Sequence, residues 1–94
     1  MSVKVIEKHN LGAAEAKNRV IAFESFLAEK GVKALWKGER AEIKGPVGVG
    51  GSIEVRDTDV EVNVKIPMLA RAVVKADKLE ASIRRRLREK LDQA

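Results

Sequence analysis

The 94-residue sequence contains no cysteine and no tyrosine, and its only aromatic side chains are Phe23, Phe26 and Trp36. A chain without cysteine cannot form disulfides, thiolate metal sites or a cysteine nucleophile, and this composition is typical of a reducing cytosol. No segment approaches the roughly 20 apolar residues that a membrane-spanning helix needs, and the N-terminus lacks the apolar run of a signal peptide. We therefore expect a cytoplasmic protein without a membrane span.

The hydrophobic residues that are present are mostly aliphatic and make up 45% of the chain. A chain of this length lies near the lower end of the domain size range but still buries a core. No internal repeat, low-complexity tract or interdomain linker interrupts it. We expect residues 1–94 to form a single domain.

Two helices and five strands follow from the residue patterns. Apolar residues recur at helical spacing from Gly12 to Lys30, with Asn10 as the expected N-cap and Gly31 as the C′ residue. Strands are predicted at 2–7, 33–37, 40–44, 52–56 and 60–66, because their residues are β-branched or alternate between apolar and polar. A second helix is predicted from about 68 to 92, after Pro67 ends the last strand.

The order β-α-β-β-β-β-α predicts an α+β fold. The clean alternation of residues 60–66 indicates a sheet with one apolar face and one wet face. The economical arrangement is a two-layer sandwich, in which a mostly antiparallel sheet packs both helices on one face. Leu35 and Trp36 are neighbours on a strand, so one of them must point to the open side or an edge.

The net charge of +5 is concentrated near the end of the chain. Residues 1–67 carry 11 basic and 10 acidic side chains, whereas residues 68–94 carry 8 basic and 4 acidic ones. On the second helix, interleaved acids such as Glu80, one turn before Arg84, favour a solvated helix face. The alternative is a surface for an anionic partner, with these candidate contacts: Arg71, Lys78, Arg84, Arg85 and Arg88.

The sequence offers little catalytic chemistry. His9 is the only histidine, and no partner residues form a metal-ligand or general-base motif around it. We expect it to hydrogen-bond at the strand-to-helix junction, and we predict no catalytic residue, no metal site and no cofactor. The glycine-rich segment GPVGVGG lacks the Lys-Ser/Thr of a phosphate-binding loop, so a hairpin connection or a mobile partner-contacting loop remains. His9 and Trp36 are the candidate partner-contact positions.

Several short motifs give the chain a family resemblance. HNLG precedes the first helix, LWKG follows it, and GVGGSIEV (48–55) and DTDVEVNVKIPML (57–69) lead to the basic last helix. Together they resemble the polyhydroxyalkanoic acid system family, small bacterial proteins associated with polyhydroxyalkanoate synthesis and granule regions. The matching positions are His9, Leu11, Gly12, Trp36, Gly48, Gly51 and Ile53. The resemblance implies a setting in polyester storage metabolism and supplies no catalytic residue.

Three functions are compatible with the sequence. The first is a non-enzymatic accessory or granule-associated protein, with the granule surface or granule proteins as partners. Because both helix stripes are expected in the core, granule binding would require release of the last helix or exchange of a partner in a homo-oligomer formed through the sheet face or edge. The second is a nucleic-acid-binding or regulatory module that uses the basic helix. The third is a small apolar-ligand carrier with a cavity between helices and sheet.

Overall fold

A computed structural model describes residues 2–29, 31–68 and 75–91. Along these residues run β1 (Ser2–Lys8), α1 (Gly12–Glu29), β2 (Lys33–Lys37), β3 (Arg40–Lys44), β4 (Gly50–Val55), β5 (Asp59–Lys65) and α2 (Ala76–Leu91). The five strands form one antiparallel sheet in the order β1-β5-β4-β3-β2. The predicted α+β class and the predicted order of elements are confirmed.

The sheet has the predicted apolar and wet faces. Val60, Val62 and Val64 of β5 are buried on the face that meets the helices, while Glu61 and Asn63 between them point to the other side. The core formed between the sheet and the helices also contains Phe23 and Leu27 of α1 and Ile83 and Leu87 of α2. Alternation along a strand places every second side chain on the same face, and this period produces the two-layer arrangement.

The end of α1 is built as the sequence predicted. Gly31 has a positive φ of 76°, which glycine adopts without steric cost. Its N–H donates to the Ala28 carbonyl at 3.0 Å, and the Val32 N–H donates to the Leu27 carbonyl at 2.9 Å. This pair of hydrogen bonds is a Schellman motif, so Gly31 is the predicted C′ residue.

The beginning of α2 differs from the prediction. Lys75 is not helical, and its carbonyl accepts a hydrogen bond of 2.9 Å from the Leu79 N–H, so the described helix begins at Ala76. Residues 69–74 and 92–94, which the prediction included, lie outside the described residues. Within α2, the predicted apolar arc is present: Ile83, Leu87 and Leu91 are buried, and Leu79 packs against the core.

The glycine-rich segment forms the predicted hairpin connection between β3 and β4. It contains one 3-10 turn at Pro46–Gly48. The Gly45 N–H donates to the Val49 carbonyl at 2.8 Å, and the Val49 N–H donates to the Pro46 carbonyl at 3.1 Å. The loop therefore closes on itself at the end of the sheet where β5 finishes.

Candidate functional site

His9 connects the end of β1 to the loop between β4 and β5. His9 is buried, with 7% of the residue exposed. Nε2 lies 3.0 Å from the Arg56 carbonyl, and Nδ1 accepts the Leu11 N–H at 3.1 Å. These partners assign the proton to Nε2, which donates to the carbonyl. Both ring nitrogens therefore form hydrogen bonds that stabilise the strand-to-helix junction, as the sequence predicted. A contact between His9 and a partner stays a prediction.

The first turn of α1 receives its cap from a distant residue. The Asp57 carboxylate accepts the Ala13 N–H at 3.2 Å. The expected N-cap, Asn10, is exposed and lies two residues before Gly12, where the helix begins. The prediction of Asn10 was wrong, because the loop between β4 and β5 brings a carboxylate to the N–H groups of the helix N-terminus.

Arg56 forms ion pairs with carboxylates at the end of the sheet where β4 leads into β5. Its guanidinium lies 2.5 Å from Asp59, 3.1 Å from Glu61 and 3.6 Å from Glu54. Hydrogen bonds from Asn63 and then from Arg56 lower the pKa of Glu61, and hydrogen bonds to Asp59 and Glu61 raise the pKa of Arg56. Both shifts favour the charged forms of Arg56 and Glu61, and the arrangement is an ion-pair network rather than an acid–base pair.

Trp36 lies on the core side of β2. Leu35, its neighbour, is the outward one and is 59% exposed. The indole Nε1–H of Trp36 donates to the Glu24 carboxylate of α1, and the Lys17 ammonium lies 5.5 Å from the ring centroid. Burial raises the pKa of Glu24. Trp36 thus ties β2 to α1, and its role as a partner-contact position stays a prediction.

Two of the candidate arginines on α2 face the sheet. Glu7 of β1 lies on the helix side, where its carboxylate is 2.6 Å from Arg88 and 3.8 Å from Arg84. Arg88 also donates to the Lys8 carbonyl at 2.7 Å. The predicted pairing of Arg84 with Glu80 is replaced by the pairing with Glu7, because the helix packs beside β1. These contacts fasten α2 to the sheet.

Of the other three candidates for an anionic partner, two lie within the described residues. Lys78 and Arg85 are exposed on α2, and Arg71 lies outside the described residues. The structure therefore divides the basic helix into a side that pairs with the sheet and a side that faces solvent. Contact between these side chains and an anionic partner stays a prediction.

A depression at the end of the sheet where β4 leads into β5 does not match a carrier for apolar ligands. It measures about 420 Å³, is open to solvent, and is lined mostly by charged side chains, among them Arg40, Glu54 and Arg56. Within residues 2–29, 31–68 and 75–91, no three His, Asp or Glu side chains converge as metal ligands would. These residues therefore offer exposed surfaces for contact with a partner.

An exposed apolar tip lies where the glycine-rich loop meets the end of β5. Val47 is 56% exposed and Met68 is 80% exposed. The loop lies close to Pro67, since a Cβ added to Gly48 would be 3.2 Å from the Pro67 Cγ. We call these four residues the tip: Pro46, Val47, Pro67 and Met68. The sequence showed GPVGVGG as a hairpin loop, but nothing in it placed this loop beside Pro67 and Met68.

A row of lysines crosses the open face of the sheet beside the tip. Lys33 of β2 pairs with Lys44 of β3, Lys44 pairs with Gly50 of β4, and Gly50 pairs with Lys65 of β5. We call Lys33, Lys44 and Lys65 the lysine row. All three are exposed, and none has an ion pair within the described ranges. Counting charges along the sequence missed this row, because strand register decides which lysines become neighbours.

Neither α1 nor α2, the helices in the described part of the chain, has the length and apolar character needed to cross a membrane. No curated protein and no solved structure matches the chain. A family model does match: the family described as "Putative polyhydroxyalkanoic acid system protein" covers residues 3–91. This range runs from β1 to the last residue of α2. The chain belongs to the polyhydroxyalkanoic acid system family, as its sequence motifs suggested.

Proposed function

We propose that this protein is a non-enzymatic accessory protein of polyhydroxyalkanoate metabolism that associates with the granule surface. The observation that carries the proposal is the family match over residues 3–91, which covers all the described helices and strands except Ser2, the first residue of β1. A family defined over the whole fold, rather than over a short motif, relates the chain to the polyhydroxyalkanoic acid system as a unit.

The polar side chains best placed for chemistry support a non-enzymatic role. The ring of His9 uses both nitrogens in hydrogen bonds to the backbone, so neither is free to move a proton. The Ser25 hydroxyl donates to the Ala22 carbonyl of its own helix at 3.1 Å. A nucleophile needs a base within hydrogen-bond reach, and this serine has a carbonyl there instead.

The tip offers a way to contact a granule without unfolding. Granule association needs an apolar surface, and the sequence pattern assigned both helix stripes to the core. Val47 and Met68 are already exposed while α1 and α2 remain packed on the sheet. Release of α2, which would break the contacts of Arg84 and Arg88 with Glu7, is then unnecessary.

Co-sedimentation with native polyhydroxyalkanoate granules tests the proposal. The purified protein is mixed with granules at low and high salt, with and without duplex DNA as a competitor. We expect the protein to pellet with granules, and part of the binding to survive high salt because apolar contact is not screened. Binding that disappears in salt and is displaced by DNA would favour the nucleic-acid hypothesis. Absence of binding in every condition would contradict granule association.

A further inference from the structure

We propose that the tip and the lysine row together form a docking surface for an anionic lipid interface. The tip would insert its aliphatic side chains among the acyl chains, and the lysines would contact the phosphate headgroups. This inference deepens the proposed function and rests on it for the biological surface concerned. It assigns the contact to one end of the sheet rather than to the basic helix.

The backbone at Val47 is the first reason. Val47 has φ 49° and ψ 38°, the left-handed region that β-branched residues rarely adopt. A residue in this conformation is less stable than one that tolerates it, and strain of this kind clusters at functional positions. Asn or Gly would suit this turn better and would be more soluble. A strained and exposed valine is explained if its side chain has a partner.

The charges beside the tip are the second reason. Lys33 and Lys44 lie directly opposite each other on neighbouring strands, and like charges in this position destabilise a sheet. Gly50 separates Lys44 from Lys65 and has no side chain to fill the gap. Neighbouring strands are about 4.8 Å apart, so the backbones of Lys44 and Lys65 are roughly 10 Å apart across a bare strip. An external anion would relieve this repulsion.

At the far end of the sheet, basic side chains of the open face have acidic neighbours. Arg40 lies opposite Lys37 on one side, as Lys44 lies opposite Lys33, but it lies opposite Glu54 on the other side. There, Lys8 lies opposite Asp59, and Ile6 lies opposite Glu61. The carboxylates at that end also pair with Arg56. The acidic residues of β5, Asp59 and Glu61, therefore lie in the half of the strand away from the tip, and Lys65 lies at the end next to the tip.

The combination of side chains favours a lipid interface over nucleic acid. Lipid-binding surfaces combine aliphatic side chains with flanking cations, whose long stems reach the headgroups. Single-stranded nucleic acid is usually held by aromatic stacking. Trp36 points to the core side of the sheet, and the tip contains only aliphatic, proline and methionine side chains.

Vesicle partitioning tests the docking surface directly. The full chain is mixed with vesicles of phosphatidylcholine alone and with vesicles that also contain phosphatidylglycerol. We expect strong binding only to the second kind. Each lysine-row substitution, such as Lys44→Gln, should weaken partitioning about fivefold, because a cation near an anionic membrane contributes about 1 kcal/mol. Val47→Asn and Met68→Gln should each weaken it about tenfold.

Stability measurements separate loss of docking from loss of folding. Asn tolerates the left-handed region, so Val47→Asn should raise or preserve the melting temperature while it weakens binding. The matched controls lie at the other end of the open face: Ile6→Thr for an exposed aliphatic residue, since Ile6 is 42% exposed, and Lys8→Gln for an exposed lysine. Both controls should bind vesicles as the unmodified protein does.

Three results would overturn the inference. The first is unchanged vesicle binding by Val47→Asn and Met68→Gln. The second is an equal loss of binding in the Ile6→Thr and Lys8→Gln controls. The third is displacement by duplex DNA with no effect of Val47→Asn, which would assign the lysine row to nucleic-acid phosphates. Co-sedimentation with granules distinguishes a failure of this inference from a failure of the proposed function. If the tip variants still pellet with granules, only the docking surface is wrong. An unmodified protein that binds vesicles but not granules would contradict the granule role.

Discussion

Two neighbouring glycines in β4 differ in the space around them. A Cβ on Gly51 would overlap the backbone carbonyl of Asn63, whereas one on Gly50 would lie 3.4 Å from the Ile43 carbonyl oxygen, an ordinary contact. Backbone atoms in the middle of a sheet cannot move aside without breaking the ladder. Gly51 is therefore required by its neighbour strand, while Gly50 is not.

Gly51→Ala should lower the free energy of unfolding by about 1–3 kcal/mol or more, because the added methyl forces β4 and β5 apart. Urea denaturation followed by circular dichroism measures this change. Gly50→Ala is the matched control and should lower the free energy by less than about 1 kcal/mol. Equal effects of the two substitutions would contradict the close approach at Asn63.

Replacement of His9 by alanine should lower the free energy of unfolding by about 2 kcal/mol. The substitution leaves the Leu11 N–H and the Arg56 carbonyl without their side-chain partners. Asn10→Ala serves as the control, since Asn10 is exposed and the cap of α1 comes from Asp57. If Asn10→Ala proved as destabilising as His9→Ala, the assignment of the cap to Asp57 would be wrong.

The structural roles of some single residues could be predicted from the sequence, and those of others could not. His9 and Gly31 were assigned to the junction and the helix end, because their local neighbours are enough to define those roles. Val47 could not be singled out, since no rule for a valine in a loop predicts a positive φ. The cap from Asp57 could not be predicted from the sequence either, because Asp57 lies 44 positions from Ala13 and approaches it only after the strands have paired.

At the scale of elements, α2 is held to the sheet by charge as well as by its apolar arc. Glu7 is 14% exposed and lies between Arg84 and Arg88. Glu7→Gln should lower the free energy of unfolding by about 1–2 kcal/mol and speed amide hydrogen exchange in α2. Glu15→Gln removes the exposed pair of Glu15 with Arg19 in α1 and should have a smaller effect. Exchange in α2 that is unaffected by Glu7→Gln would show that packing alone holds the helix.

The ion-pair network on β5 makes stability depend on pH. The folded-state pKa of Glu61 lies below the ordinary value of 4.5, because its ionised form accepts hydrogen bonds from Asn63 and Arg56. The contribution of Glu61 is therefore present above that value and is lost as pH falls through the folded-state pKa. Urea denaturation from neutral pH down to about pH 3 should show this loss, and Glu61→Gln should reduce its size.

Glu24 should make stability depend on pH with the opposite sign. Burial raises its pKa above 4.5, so the stability that it contributes is present below that value and is lost as pH rises through the folded-state pKa. Glu24→Gln keeps an acceptor for the Trp36 indole N–H and removes the partly buried charge. The variant should be at least as stable as the unmodified protein at neutral pH, and a clear destabilisation there would contradict the direction of the shift.

The sequence predicted the elements better than it predicted their mutual contacts. Periodicity alone defined α1 and the five strands, because each depends on neighbours within a few residues. The partner of Arg88 is 81 positions away in β1, so the sequence showed a basic helix but not which of its arginines face the sheet. The lysine row was missed for the same reason: its members come from three strands and become neighbours only through register.

At the scale of the whole molecule, we propose that residues 1–94 form the single domain that the sequence predicts. The two helices and all five strands share one continuous core. Thermal unfolding should therefore be a single transition, with the same midpoint by circular dichroism and by calorimetry. Two separate transitions would contradict one domain. The homo-oligomer through the sheet face or edge stays a prediction, which sedimentation analysis at several concentrations can test.

The position of Trp36 has an optical consequence. It is the only tryptophan in the chain, and its indole contacts Glu24 and Lys17, both of which belong to α1. Its fluorescence therefore reports whether α1 remains on the sheet and is largely indifferent to α2. If the protein docks by its tip as a rigid body, emission from Trp36 should stay unchanged on binding. A red shift would reveal that the first helix has lifted, with no label added to the protein.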